Sequence, residues 1–216
     1  MDILNKVKKG LLFVFILVIV SQIYAQKSGT FSNDDLLNAF KLSYKYEASG
    51  QYKEAINAIQ AVYSNSNYEV NLRLGWLNYL NLQHNEAMQY YQTAMKIMPY
   101  SIEARLGYVN PAAALENWIK VGDMYNEILN IDPNNTPVLY KLGTIYYYRP
   151  DYQKAYNCFE KIVNLYPCDY SSVLMFGWAN YQLGRGNDAE ALFNKVLLLS
   201  PNDASALEGL GLLRKK

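Results

Sequence analysis

The sequence has almost none of the residues on which metal-bound or nucleophilic chemistry is built: one His and two Cys in 216 residues. Two thiols beside one imidazole fall short of the usual zinc ligand count. Cys158 lies inside an apparent helix and Cys168 directly follows Pro167. At a helical rise of 1.5 Å per residue they stand about 15 Å apart along the axis, more than twice a disulfide's reach, so two unpaired thiols are expected. There is no G-x-S-x-G, no glycine-rich phosphate loop and no H-E-x-x-H. His84 falls in a polar turn between two apparent helices, an ordinary place for an exposed imidazole. Asp34-Asp35 suits a helix N-terminus better than a catalytic dyad. Neither an enzyme nor a bound metal or cofactor is expected.

Charge of one sign is also missing. Against 20 Lys plus Arg stand 19 Asp plus Glu, and the basic groups are short, Lys6, Lys8 and Lys9 near the start and Arg214, Lys215 and Lys216 at the end. Nothing in that balance points to a nucleic-acid partner, and none is expected. The longest apolar run, Leu11 to Val20, is shorter than the ~20 residues of a membrane-spanning helix. With its basic flank and the polar stretch Ser21-Gln22-Ile23-Tyr24-Ala25 behind it, it reads as a secretory signal over residues 1–25, cleaved after Ala25. A periplasmic or secreted protein follows, with 26–33 as a linker. The alternative is an uncleaved anchor over residues 11–23, the one case in which a membrane becomes a partner. No Cys stands near the cleavage point to carry a lipid.

What the chain does have is periodicity. Pro99, Pro133, Pro167 and Pro201 are spaced 34 residues apart. A series of small residues, Ser43, Gly75, Gly107, Gly143, Gly177 and Gly211, runs at nearly the same interval, as do Ala55, Ala87, Val121, Ala155 and Ala189. Small side chains at fixed intervals mark places where helices approach closely. Apolar residues at three- and four-residue spacing fill Leu74–Leu80 and Ala87–Ile97, with a polar turn between. Gly50-Gln51-Tyr52, Arg149-Pro150-Asp151 and Leu183-Gly184-Arg185-Gly186 supply the equivalent turns. The unit is helix, turn, helix, proline.

Leu142-Gly143-x2-Tyr146, Ala155, Phe159 and Pro167 resemble the tetratricopeptide repeat. Residues 68–101 and 170–203 match nearly as well, and 36–67 keep Leu42-Ser43, Tyr46, Gly50, Tyr52 and Ala55 without the closing Pro. The resemblance implies an all-α, right-handed superhelical solenoid of antiparallel helix pairs. Its five repeats span about 36–67, 68–101, 102–135, 136–169 and 170–203. Asp203 is placed to cap a last helix within 204–216 that closes the stack. In the third repeat Asn110-Pro111 sits where the first helix should continue, and a kinked or shortened helix is expected there.

The same resemblance implies a concave groove lined by first helices. Its side chains would be the residue just after each small residue and those three or four further on: Tyr44, Trp76 and Tyr79, Tyr108, Tyr147 and Tyr148, Trp178 and Tyr181. With 21 Tyr and 3 Trp in the chain, an aromatic-lined binding surface fits the composition. Lys41, Arg73, Arg105 and Lys141 each stand two residues before a small residue, a basic ladder suited to carboxylates or phosphates along an extended ligand. One branch of the family clamps acidic C-terminal tails with five groove residues. Only Arg105 has a counterpart here, Phe40, Tyr44, Arg73 and Ser101 standing at the others, so that ligand is not expected. The leading expectation is an exported scaffold that binds an extended peptide or protein segment, in cell-envelope assembly. A self-associating spacer, hence a homo-oligomer, and a carbohydrate-binding module using the same rings are the alternatives.

Overall fold

The computed structural model describes residues 31–215, which contain eleven helices and no strand. They form five antiparallel pairs and a single last helix: α1 (Asn33–Ala48) with α2 (Tyr52–Gln60), α3 (Tyr68–Leu80) with α4 (His84–Ile97), α5 (Ile102–Ala114) with α6 (Trp118–Ile131), α7 (Thr136–Tyr148) with α8 (Tyr152–Leu165), α9 (Tyr170–Gln182) with α10 (Gly186–Leu199), and α11 (Ala204–Leu213). The fold is an all-α solenoid closed by a capping helix. The N-terminal pattern over 1–25 lies outside the described residues. Among those residues, no helix is long and apolar enough to cross a membrane.

Short-range chemistry fixes the ends of each helix. Asn67, Ser101, Asn135, Asp169 and Asp203 each cap a first helix, the side chain accepting from the backbone N–H three residues on. Such a cap satisfies an otherwise unpaired donor and contributes about 1 kcal/mol. Ser32 and Asp35 form a reciprocal capping box at the start of α1, so Asp35 serves the helix end as expected. Four of the five second helices stop two residues before a proline, which bars its predecessor from the α region. Met98, Asp132, Tyr166 and Ser200 accordingly turn to φ values between −122° and −141°.

Two classes of close contact hold the stack. The eighth residue of a first helix faces its own second helix: a Cβ at Gly75 would come 2.9 Å from the Tyr91 ring, and those at Gly143 and Gly177 2.9 Å from Phe159 and Phe193. The sixth residue faces the second helix of the preceding pair, so Cβ atoms at Gly107 and Gly209 would lie 2.2 Å from Tyr91 and 2.3 Å from Phe193. Tyr91 and Phe193 are thus each held between glycines of successive first helices. Gly211 departs from the expectation: nothing lies within 4 Å, because it faces where a second helix would stand and α11 has none. Gly209 makes the contact instead. The small residues of the second helices, Ala55, Ala87, Val121, Ala155 and Ala189, are all buried.

Hydroxyls tie neighbouring repeats at one edge. Tyr68 bonds the Ser101 cap at 2.7 Å, and Tyr170 donates to the Asp203 cap one repeat further on, which holds that carboxyl below its usual range. The expected shortening of the third repeat's first helix is not found. With 13 residues α5 equals α3, α7 and α9, and the Leu115 N–H still reaches the Pro111 carbonyl at 3.1 Å. Cys158 is buried and Cys168 exposed, both as free thiols, and burial pushes the Cys158 thiol up to about 11.

Candidate functional site

First helices of the first three pairs converge on a cavity of about 590 Å³. Phe40 and Tyr44 come from α1, Glu69, Arg73 and Trp76 from α3, and Glu103, Gly107 and Asn110 from α5, with Tyr91 at the back. The absence of a side chain at Gly107 brings the Tyr91 ring to the cavity wall. Tyr44 is 56% exposed and Trp76 37% exposed, large values for rings of this size. The Trp76 indole donates to Glu47 Oε1 at 2.6 Å, which fixes one edge of its ring and leaves a face open.

Arg73 is in this cavity but is not free. Its Nε donates to Ser43 Oγ at 2.9 Å, Nη2 lies 2.6 Å from Glu47 Oε2, and the guanidinium sits 3.9 Å from the centroid of the Tyr44 ring. Only 7% of the residue is exposed. The expectation that it grips an external anion is therefore corrected: at the sixth position of α3 it faces the preceding pair, and the first pair neutralises it. Arg105 is corrected on related grounds. As the fourth residue of α5 it faces its own second helix, donating to Glu127 at 2.9 Å and to the Ser101 carbonyl at 2.9 Å. Lys41 and Lys141 remain exposed. Of the basic ladder these two alone offer an uncommitted charge, and they lie on α1 and α7, far apart in the stack.

Tyr108 is corrected too, since it is 2% exposed and belongs to the core. It stands seventh in α5, the position that Leu74 and Leu142 fill in α3 and α7, both equally buried. Gly107 is two positions early in its helix, so the residue after it points inward. The ninth position, where α3 has Trp76 and α9 has Trp178, is Asn110 in α5.

The remaining aromatic residues form two further groups. Tyr79 packs between Trp76 and the His84 ring, each about 5.7 Å away. Tyr147 contacts Tyr148 and Tyr152 edge-on at 5.6 and 5.5 Å and receives a long bond from Gln182, while Tyr148 is 76% exposed. Trp178 is half-buried: its ring packs on the Phe193 core at 5.0 Å and its indole donates to Ser205 of the capping helix. Tyr181 packs against Trp178 at 5.7 Å. Structure thus brings together Tyr44, Arg73 and Trp76 at one cavity and holds Trp178 mainly as a packing residue. Lys141 lines a second recess of about 480 Å³ with Tyr140, Tyr166 and Asp169.

Sequence reasoning missed Glu69 and Glu103 as cavity residues. Asp35, Glu69 and Glu103 are in fact spaced by 34, a series visible in the sequence. A first-turn acid is so often explained by the helix dipole that nothing in the spacing alone sets these apart. No cluster of His, Cys, Asp and Glu suited to a metal ion occurs among the described residues.

Family models described as tetratricopeptide repeat match residues 40–102 and 138–167. A curated relative, Protein CTR9 homolog of Arabidopsis thaliana, is 26% identical over 87 residues, 40% of this chain, and the chain spans only 8% of that protein's length. Among solved structures, MamA superposes with a TM-score of 0.66 at 20% identity, covering 80% of this chain and 96% of that one. A tetratricopeptide repeat protein from Parabacteroides merdae gives 0.68 at 21% identity, covering 85% and 73%. YrrB, described as a TPR protein with an unusual peptide-binding site, gives 0.61 at 20% identity over 76% and 82%. At these identities the likeness establishes the fold.

Proposed function

Because the chain is a tetratricopeptide repeat protein, we propose that it is a non-catalytic interaction scaffold that binds an extended peptide or protein segment along its first helices. The observation that carries this reading is the open cavity between α1, α3 and α5, walled by the exposed rings of Tyr44 and Trp76. Rings held by neighbours offer contact area at little entropic cost, and such residues dominate binding energies at interfaces. The peptide-binding site named for YrrB supports the same use of the fold.

The test is the binding of a random nonapeptide library to the folded chain. A Tyr44→Ala/Trp76→Ala variant should bind more weakly by about thirtyfold, the equivalent of about 2 kcal/mol, with its circular dichroism unchanged. Gln92→Ala, on an exposed site of α4, should bind as the parent does. A folded double variant with undiminished affinity would remove the groove from the proposal.

The scaffold is further proposed to act outside the cytoplasm, in the cell envelope or beyond it, on the signal pattern of residues 1–25. N-terminal sequencing of the protein from its native source should find a chain beginning near Gln26. A membrane-bound chain beginning at Met1 would replace export by anchoring.

A further inference from the structure

The charges around the first cavity do not match the anionic ligand that a basic ladder suggests. Arg73, the one cation in its wall, is consumed by Glu47. Glu69 and Glu103 also line the cavity, both are exposed, and neither has a cationic partner among the described residues. One oxygen of Glu103 accepts a 3.3 Å bond from the Tyr68 hydroxyl, which orients the carboxylate without neutralising it. Both acids also complement the N-termini of α3 and α5, yet a surface acid placed only for that purpose need not border an aromatic cavity.

Aromatic faces beside uncompensated carboxylates favour a cation. An ammonium or guanidinium is attracted by the negative face of a ring and by the carboxylates together, while its aliphatic stem covers apolar wall. Arg73 shows the preference within the molecule itself, its guanidinium carbon lying 3.9 Å from the centroid of the Tyr44 ring. Building on the peptide-groove reading above, we propose that this cavity receives a Lys or Arg side chain of the bound peptide. The cationic head lies between Glu69 and Glu103, and the stem packs against Trp76 and Tyr44. The first three repeats therefore select for positive charge in the ligand.

The probe is a set of nonapeptide pools identical except for a fixed central residue: Arg, Lys, citrulline or Glu. Citrulline keeps the shape of Arg without its charge. Binding is read by fluorescence anisotropy and located by the Trp76 indole N–H signal in NMR spectra. The Arg and Lys pools should bind at least tenfold more tightly than the citrulline and Glu pools, and this preference should shrink in 1 M salt. Glu69→Gln/Glu103→Gln should abolish the tenfold preference while leaving the helical spectrum and the affinity for the citrulline pool unchanged. If all four pools bind the parent equally, or the Glu pool binds best, the cationic assignment is overturned and the groove reading stands. If no pool binds or moves the Trp76 signal, both are overturned.

Discussion

At Leu82 the chain adopts a backbone conformation that its counterparts Gly50 and Gly184 reach without strain. The three close equivalent turns between paired helices, with φ of 61°, 71° and 74°. A left-handed residue with a Cβ costs about 1–2 kcal/mol, whereas glycine in its place costs about 0.5–1 kcal/mol of added freedom in the unfolded chain. Leu82 is 78% exposed, so removing its side chain sacrifices little packing. Leu82→Gly should therefore stabilise by up to about 1 kcal/mol and raise the melting temperature by a few degrees, while Leu82→Ala should not. Equal melting temperatures for the two variants would show that the turn carries no such strain. Single residues were also where sequence reasoning was weakest. Arg73 and Arg105 were legible as a ladder by spacing, yet one stands sixth and the other fourth in its helix, so they face different neighbours. The partners that consume them, Glu47 and Glu127, lie 26 and 22 residues away, beyond anything local periodicity reports.

At the scale of the element, the helix pairs were legible because their punctuation is local. Prolines stop four of the five second helices and Asn, Ser or Asp caps open the first ones, each acting within a few residues of its own position. The rotation of a helix about its axis is not local. The glycine series mixed residues facing their own second helix, Gly75, Gly143 and Gly177, with Gly107, which faces the preceding one. Counted from the Ser101 cap, Gly107 stands two positions earlier in α5 than Gly75 and Gly143 do in α3 and α7, and Tyr108 after it is therefore buried. Pro111 is a second case. Its missing N–H would have bonded the Gly107 carbonyl, but the ring is buried in place and the helix runs on to Ala114. Here the gain from packing the ring outweighs one lost bond, a comparison that needs the neighbouring helices to be known. Glu69 and Glu103 escaped notice for the same reason, since only the shape between α3 and α5 separates a dipole-capping acid from a wall of a cavity.

For the whole molecule, the consequence of stacking is that stability propagates from pair to pair, and Tyr91 is where two parts of the core are joined. One buried cluster runs from Ala39 to Leu77 and a second from Met88 to Ala179. Tyr91 belongs to the second, and its ring touches the glycine of α3 on one side and that of α5 on the other. In a solenoid each repeat is supported mainly by its neighbours, so weakening one interface separates the stability of what lies on either side. Tyr91→Ala removes a ring that is 2% exposed and should cost about 3–5 kcal/mol, close to the cost of truncating a buried Phe. The loss should be unequal. Amide exchange in α1 to α3 should accelerate far more than in α7 to α10, and denaturant unfolding should broaden or divide into two transitions. Tyr91→Phe, which keeps the ring between the glycines, should retain one transition and even protection. A Tyr91→Ala protein that still unfolds in one step, with protection reduced equally from α1 to α10, would mean that the α4–α5 interface is coupled by other contacts and that Tyr91 only fills space.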